Sequence, residues 1–302
     1  MLKKKLSDID KIIKEVEISE KQKIGNLKYT PIPTSDQEDE ISKKFLNSGF
    51  FNSNLITTLI RTSNISRIEI EDVFEGEIES IPFISADLFV YKKYSTDRYK
   101  EREHLSLSGT YYYFDIPTIE KGVNIVLVPR IPFVALIFLI LIFLYILWYG
   151  IDKKDFELIL GSIIYIVFLL IAYYFEGSKT ESIKFNSYFV LKTNDEIKAR
   201  KILTPAVIQS IIDLREKEGE LMIAIKEGQL HVFIINKDRF NYMFNLTKIK
   251  EIIAQQARQE IDLIKRLLES IRLKETLYKK GVMENKKGIM KNKKRITKNK
   301  KG

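Results

Sequence analysis

At 302 residues the chain is long enough for one large domain or two smaller ones. Its net charge of +10 suggests a basic protein, but residues 279–302 hold eleven basic residues and one acidic one, so this tail supplies the whole excess and the rest is neutral. The absence of cysteine and the presence of only two histidines exclude a disulfide framework and any Cys/His zinc cluster.

Residues 1–44 read as a helical N-terminal segment and linker. Leu6, Ile9, Ile13 and Val16 recur at helical spacing, and no apolar stretch there resembles a cleavable signal. The prolines in "YTPIPTSDQ" break this segment, and a second helix is expected over about residues 38–46. Residues 45–130 read as the first part of a cytoplasmic α+β domain. Alternation around Ile68, Ile70 and Ile78 predicts short antiparallel strands, and "GTYYYFDIP" and "VNIVLVP" add two more.

Residues 131–175 contain two charge-free apolar runs, 131–150 and 158–175. A run of about 20 apolar residues at roughly 1.5 Å per residue matches a bilayer core of about 30 Å. Trp148, Tyr149, Tyr173 and Tyr174 stand at run ends, where amphipathic rings favour headgroups. A transmembrane helical hairpin is the expectation, with the flanking halves on one side. Lys121, Arg130, Lys179, Lys184 and Lys192 flank its outer ends. Lys153 and Lys154 in the turn are offset by Asp152, Asp155 and Glu157, a bias that places both termini in the cytoplasm.

Residues 176–246 read as the second part of the α+β domain. "SIKFNSYFVLKT" predicts a strand and "NDEIKARKIL" a short helix capped by Asn194. A second helix has Thr204 as cap, Pro205 in its first turn and Gly219 as stop, with Val207, Ile208, Ile211 and Ile212 as its apolar face. "ELMIAIKEGQLHVFII" predicts a hairpin turning at Glu227-Gly228. Residues 247–278 predict a long amphipathic helix. There Ala257, Ile261, Ile264, Leu268 and Ile271 approach a coiled-coil seam, a candidate helix–helix interface. Residues 279–302 predict a disordered basic tail whose Lys293, Lys294 and Arg295 suit anionic lipid. The fold class expected is α+β: a mixed or antiparallel sheet domain interrupted by the two-helix transmembrane hairpin, with helical N- and C-terminal extensions.

The order of "NSGFF", "EDVFEGEIESIPFISADLF", "GTYYYFDIPTIEKGVNIVLVP" and "FNSYFVLKTNDEIKARKILTP" resembles a bacterial family of uncharacterised membrane-associated proteins, sometimes labelled galanin-like. The matching residues include Phe189, Val190, Asp195, Glu196, Ala199, Arg200, Leu203, Thr204 and Pro205, and the likeness spans roughly residues 47–235. The resemblance implies an architecture and a bacterial, membrane-associated setting but no reaction; together with the two apolar runs it gives the expectation of a multi-pass protein of the bacterial cell membrane. Some members are encoded beside LemA-type proteins, which implies a helical membrane-protein partner by association.

Chemistry is sparse. No Gly-rich phosphate loop and no G-x-S-x-G elbow is present, and no catalytic, cofactor or metal residue is expected. Arg200 offers a planar guanidinium for phosphate or carboxylate beside Asp195 and Glu196, against the plainer reading of an i−4 pair with Glu196. His231 and the run Tyr111, Tyr112 and Tyr113 read as sheet residues. These features favour a membrane-anchored cytoplasmic scaffold or interaction protein. Its partners would be the lipid bilayer, anionic lipid at the tail, and either a second copy or a helical membrane protein. The alternatives are an enzyme on a membrane-surface substrate, and nucleic-acid binding through the tail, which is disfavoured.

Overall fold

The computed structural model describes residues 15–16, 18–23, 26–52, 65–95, 101–116, 122–130, 133–153, 155–175, 177–235, 254–255, 258–259 and 261–271. Its centre is one eight-stranded antiparallel sheet. The strands are β1 (Asn26–Thr30), β2 (Ile65–Ile78), β3 (Ile81–Ser95), β4 (Glu101–Asp115), β5 (Asn124–Pro129), β6 (Phe189–Thr193), β7 (Leu221–Lys226) and β8 (Gln229–Ile235). Their order across the sheet is β1-β2-β3-β4-β8-β7-β5-β6. The helices are α1 (Ser35–Asn47), α2 (Phe133–Lys153), α3 (Phe156–Phe175), α4 (Ile183–Tyr188), α5 (Glu196–Ile202) and α6 (Pro205–Glu218), with a 3-10 turn at Phe50–Asn52.

Alternation along the strands builds two cores, because successive side chains leave opposite faces. Tyr112, Phe114, Leu230 and Val232 enter one core with Phe185, Ala199, Leu203, Val207 and Ile211 from α4–α6. Tyr111, Tyr113, Ala224 and Phe233 enter the other, under Ile41 and Phe45 of α1 and Phe50 and Phe51 of the 3-10 turn. Helical residues 261–271 close the first core, burying Ile261, Leu263, Ile264, Leu267, Leu268 and Ile271. The face whose spacing suits a helical partner is thus occupied by the protein's own sheet.

β5 precedes α2 and α3, yet it pairs with β6 on one side and β7 on the other, both after them. The chain segments on either side of the helix pair therefore build one sheet.

α2 and α3 occupy the two apolar runs and pack side by side in opposite directions. The rings of Phe143 and Tyr165 stack with centroids 4.2 Å apart, and Gly150 lies against Leu158 and Ile159. Among the described residues, however, no helix is long and apolar enough to cross a membrane. This corrects the expected transmembrane hairpin, and with it the fold class it interrupted and the multi-pass bacterial-membrane localisation with cytoplasmic termini.

Smaller corrections have local causes. "SIKFNSY" forms α4 rather than a strand, because the Ser182 hydroxyl accepts from the Phe185 N–H and caps it. Asp195, not Asn194, caps α5, its carboxylate accepting from the Lys198 N–H. Asn194 instead ties β6 to β5: its amide oxygen accepts from the Asn124 N–H at 2.8 Å and its amide nitrogen donates to the Gly122 carbonyl at 2.9 Å. The strands expected to be short are long, with 14, 15 and 15 residues in β2, β3 and β4. The predicted Thr204 cap, Pro205 and Gly219 stop of α6 are all present. So is the β7–β8 turn, with positive φ at Glu227 and Gly228. Residues 1–14, most of the first amphipathic segment, lie outside the described residues, as does the tail with Lys293, Lys294 and Arg295.

Gly109 sits where β4 meets β8, opposite Ile235. A Cβ added there would lie 2.1 Å from the Ile234 carbonyl oxygen and 2.9 Å from the Phe233 ring. Gly109→Ala should therefore force the strands apart and lower stability by about 1–3 kcal/mol in urea unfolding. An unchanged midpoint would mean that β4 and β8 do not approach this closely.

Candidate functional site

Apolar side chains of α2 and α3 remain exposed on every side of the pair. Leu141, Ile142, Leu144, Tyr145, Trp148 and Tyr149 are exposed on α2, with Tyr145 at 65% and Trp148 at 63%. Phe156 on α3 is 73% exposed, and Ile163, Ile164, Tyr165 and Val167 continue the surface. These positions are too closely spaced to form one stripe, so neither helix keeps a polar face. The polar atoms inside the pair are satisfied locally: the Ser162 hydroxyl donates to the Leu158 carbonyl at 2.8 Å. The charges gather at the turn, where Asp155 accepts from the Leu158 N–H and Lys153 lies 3.8 Å from Asp152.

Where the pair joins the sheet, the chain is pinned on both sides. The Arg130 N–H donates to the Tyr188 carbonyl at 2.9 Å, and the Ser178 N–H to the Leu191 carbonyl at 2.8 Å. Gly177 takes φ +73° in this crossing, and a Cβ there would lie 2.6 Å from the Leu191 oxygen. The Ser178 hydroxyl then donates to Glu196 at 2.7 Å, fixing the start of α5 beside the return from α3.

The three residues picked out for ligand contact thus share one short helix but not one task. Asp195 caps the helix and Glu196 holds Ser178. Arg200 is exposed and, among the described residues, has no hydrogen bond or ion pair, so the expected pair with Glu196 is not formed. Among the described residues no group of three or more His, Asp or Glu could hold a metal ion.

Ile264, Leu268 and Ile271 lie buried in the first core, and Ile261 is buried at the start of the same helical stretch. Upstream of them Arg258 donates to the Glu20 carboxylate, which also accepts from Lys23 at 2.7 Å. These hydrogen bonds, Arg258 first, pull the Glu20 carboxyl down to about 2. Lys21 lies beside them with its ammonium 4.9 Å from the Phe74 ring.

The residue pair that sequence reasoning missed is Tyr111 with His231. Their hydroxyl and Nδ1 are 2.7 Å apart in the second core, and either tautomer leaves the buried Nε2 without a partner among the described residues. Tyr113 is the direct cross-strand neighbour of His231, and Phe50 covers the ring edge-on. Lys44, paired with Glu40, lies 4.8 Å over the Tyr113 ring, and Lys226 donates to the Asn47 carbonyl at 3.0 Å. Burial, then the Lys226 and Lys44 charges, lower the His231 pKa to about 4. Burial also pushes Tyr113 up to about 12, with Asp115 and Glu40 adding to it, and drives Tyr111 upward. Alternation marked His231 and Tyr111 as strand residues, but only the β4–β8 register brings them together.

Folded His231 is neutral down to about pH 4, whereas its ordinary pKa is 6.5. Between those values the unfolded chain binds more protons, so stability rises with pH across this window. Stability should fall by roughly 3 kcal/mol as pH drops from about 6.5 to about 4, read from urea midpoints. His231→Gln should flatten that slope. A variant with the wild-type slope would assign the effect to another group. Glu20, with its lowered pKa, contributes stability that is lost only as pH falls from 4.5 toward 2.

Residues 172–273 match the model of a family described as protein of unknown function, DUF3137. The match runs from the end of α3 through helical residues 261–271 and includes Arg200 and His231. No curated protein matches the chain. Among solved structures, the crystal structure of the mycobacterial trehalose monomycolate transport factor A is similar at 9% identity and a TM-score of 0.34. That likeness covers 85% of this chain and 95% of the other, and at this score it carries no argument.

Proposed function

We propose that the protein is a scaffold or interaction protein that rests on a lipid surface through the α2–α3 pair and holds its sheet domain there. The observation that carries this reading is the exposure of Leu141, Ile142, Leu144, Tyr145 and Trp148 on α2 together with Phe156, Ile163 and Ile164 on α3. Proteins seldom leave a contiguous apolar patch of this kind in water, and both cores of this fold are filled by other side chains. Trp148, Tyr149 and Tyr145 combine an apolar body with a polar edge, which suits the boundary between headgroups and acyl chains. The tail carries +10, and each of Lys293, Lys294 and Arg295 near an anionic leaflet would add about 1 kcal/mol. The seam residues Ile264, Leu268 and Ile271 are buried in the first core, whereas the helix pair leaves its apolar side chains exposed.

Leu144, Tyr145 and Ile164 are exposed, so the combined Leu144→Glu, Tyr145→Glu, Ile164→Glu variant should fold and melt as the wild type does. The full-length wild type should float with phospholipid vesicles in a density gradient, and the variant should stay behind. Equal flotation would remove the helix pair from lipid contact. A wild type that ignores vesicles but forms a defined oligomer, dissolved by the same substitutions, would show that a second copy covers the pair.

A further inference from the structure

Beside the return from α3, the domain itself carries apolar side chains with no cover. Ile183 on α4 is 87% exposed and Ile197 on α5 is 71% exposed. Both lie near Ser178, one along the chain and one through a hydrogen bond. Ile183 follows it by five residues, and Ile197 is next to Glu196, whose carboxylate accepts the Ser178 hydroxyl. Arg200 lies four residues beyond Glu196, one helical turn or about 6 Å along the same face of α5.

The charges here are unevenly spent. Glu196 is held by Ser178, and Glu216 by Lys184 at 2.6 Å and the Tyr188 hydroxyl at 3.0 Å. Arg200 has no partner among the described residues. A guanidinium with its fork unoccupied, one helical turn from the exposed Ile197 on α5, matches a surface with phosphates at one level and acyl chains just below it. A folded protein partner would more commonly meet Arg200 with a carboxylate and cover Ile197 with its own side chains.

The geometry points to a second lipid contact at the foot of the helix pair: Ile183 and Ile197 enter the interface, and Arg200 takes the phosphate of an anionic phospholipid. This rests on the lipid-surface reading of α2 and α3, and it adds a headgroup preference that belongs to the folded domain rather than to the tail. It also fixes which face of the domain lies toward the lipid, since α4 and α5 cover one side of the sheet only.

The test uses full-length protein with the tail intact and two kinds of vesicle, phosphatidylcholine alone and phosphatidylcholine mixed with phosphatidylglycerol. Arg200→Gln should lose about fivefold in affinity for the mixed vesicles and nothing for the neutral ones. The double variant Ile183→Ser, Ile197→Ser should bind both more weakly. Lys28→Gln, on β1 at the far edge of the sheet and roughly 34 Å away across seven strand spacings, should bind both like the wild type. Arg200 and isoleucine variants that bind like the wild type would overturn the contact. So would a Lys28→Gln loss as large as that of Arg200→Gln, because the preference would then be diffuse charge. Failure of the helix-pair reading looks different: the α2–α3 variant would bind as well as the wild type, or the wild type would bind neither vesicle.

Discussion

Everything else in this structure depends on where β5 lies. It forms backbone ladders with β7 on one side and β6 on the other, and neither partner is made until the chain has passed through α2 and α3. Without β6 and β7, the Val126 and Val128 side chains would lose one core and Ile125 and Leu127 the other, since the strand is buried on both faces. Two cores depend on the same six residues. The helix pair is therefore an excursion that must leave and rejoin one edge of the sheet. The Arg130–Tyr188 and Ser178–Leu191 backbone bonds mark its two crossings.

This constraint concentrates the surface chemistry. The return from α3 needs Gly177 in a left-handed conformation, then Ser178 on β6, then Glu196 on Ser178. The last of these bonds sets the start of α5 beside the return from α3, and with it Ile197 and, one turn on, Arg200. The opposite face of the sheet does other work. There α1 and the 3-10 turn seal the Tyr111–His231 pair from water, at the cost of a ring nitrogen without a partner. An unpaired buried ring nitrogen of this kind costs about 1–3 kcal/mol, which the surrounding packing of Phe45, Phe50 and Phe233 offsets.

Signals in the sequence are legible where the physics is local. The Thr204 cap followed by Pro205, the Glu227-Gly228 turn and the alternation of β7 and β8 are decided within a few residues. The α4 helix is hidden in the sequence because "SIKFNSY" alternates like a strand, while the Ser182 hydroxyl caps it as a helix. The cap of α5 goes to Asp195 because Asn194 is drawn into bonds with Gly122 and Asn124, 72 and 70 positions away in the chain and invisible to any window. The seam of Ile261, Ile264, Leu268 and Ile271 had the right spacing for either a partner helix or the protein's own sheet. Periodicity identifies an apolar face but not what covers it. The two apolar runs do form helices, α2 and α3, but among the described residues no helix is long and apolar enough to cross a membrane. Arg200 was singled out for its chemistry, and what the fold adds is its neighbours.

The central claim is that segments before and after α2–α3 fold as one sheet, and amide hydrogen exchange tests it most directly. The amides of Val126 and Val128 in β5 should exchange only through global unfolding, with the same protection and the same response to urea as those of Ile223 in β7 and Val232 in β8. Amides of β5 that exchange much faster than those of β7, or that keep their protection after β7 and β8 have opened, would show that the two segments are separate units.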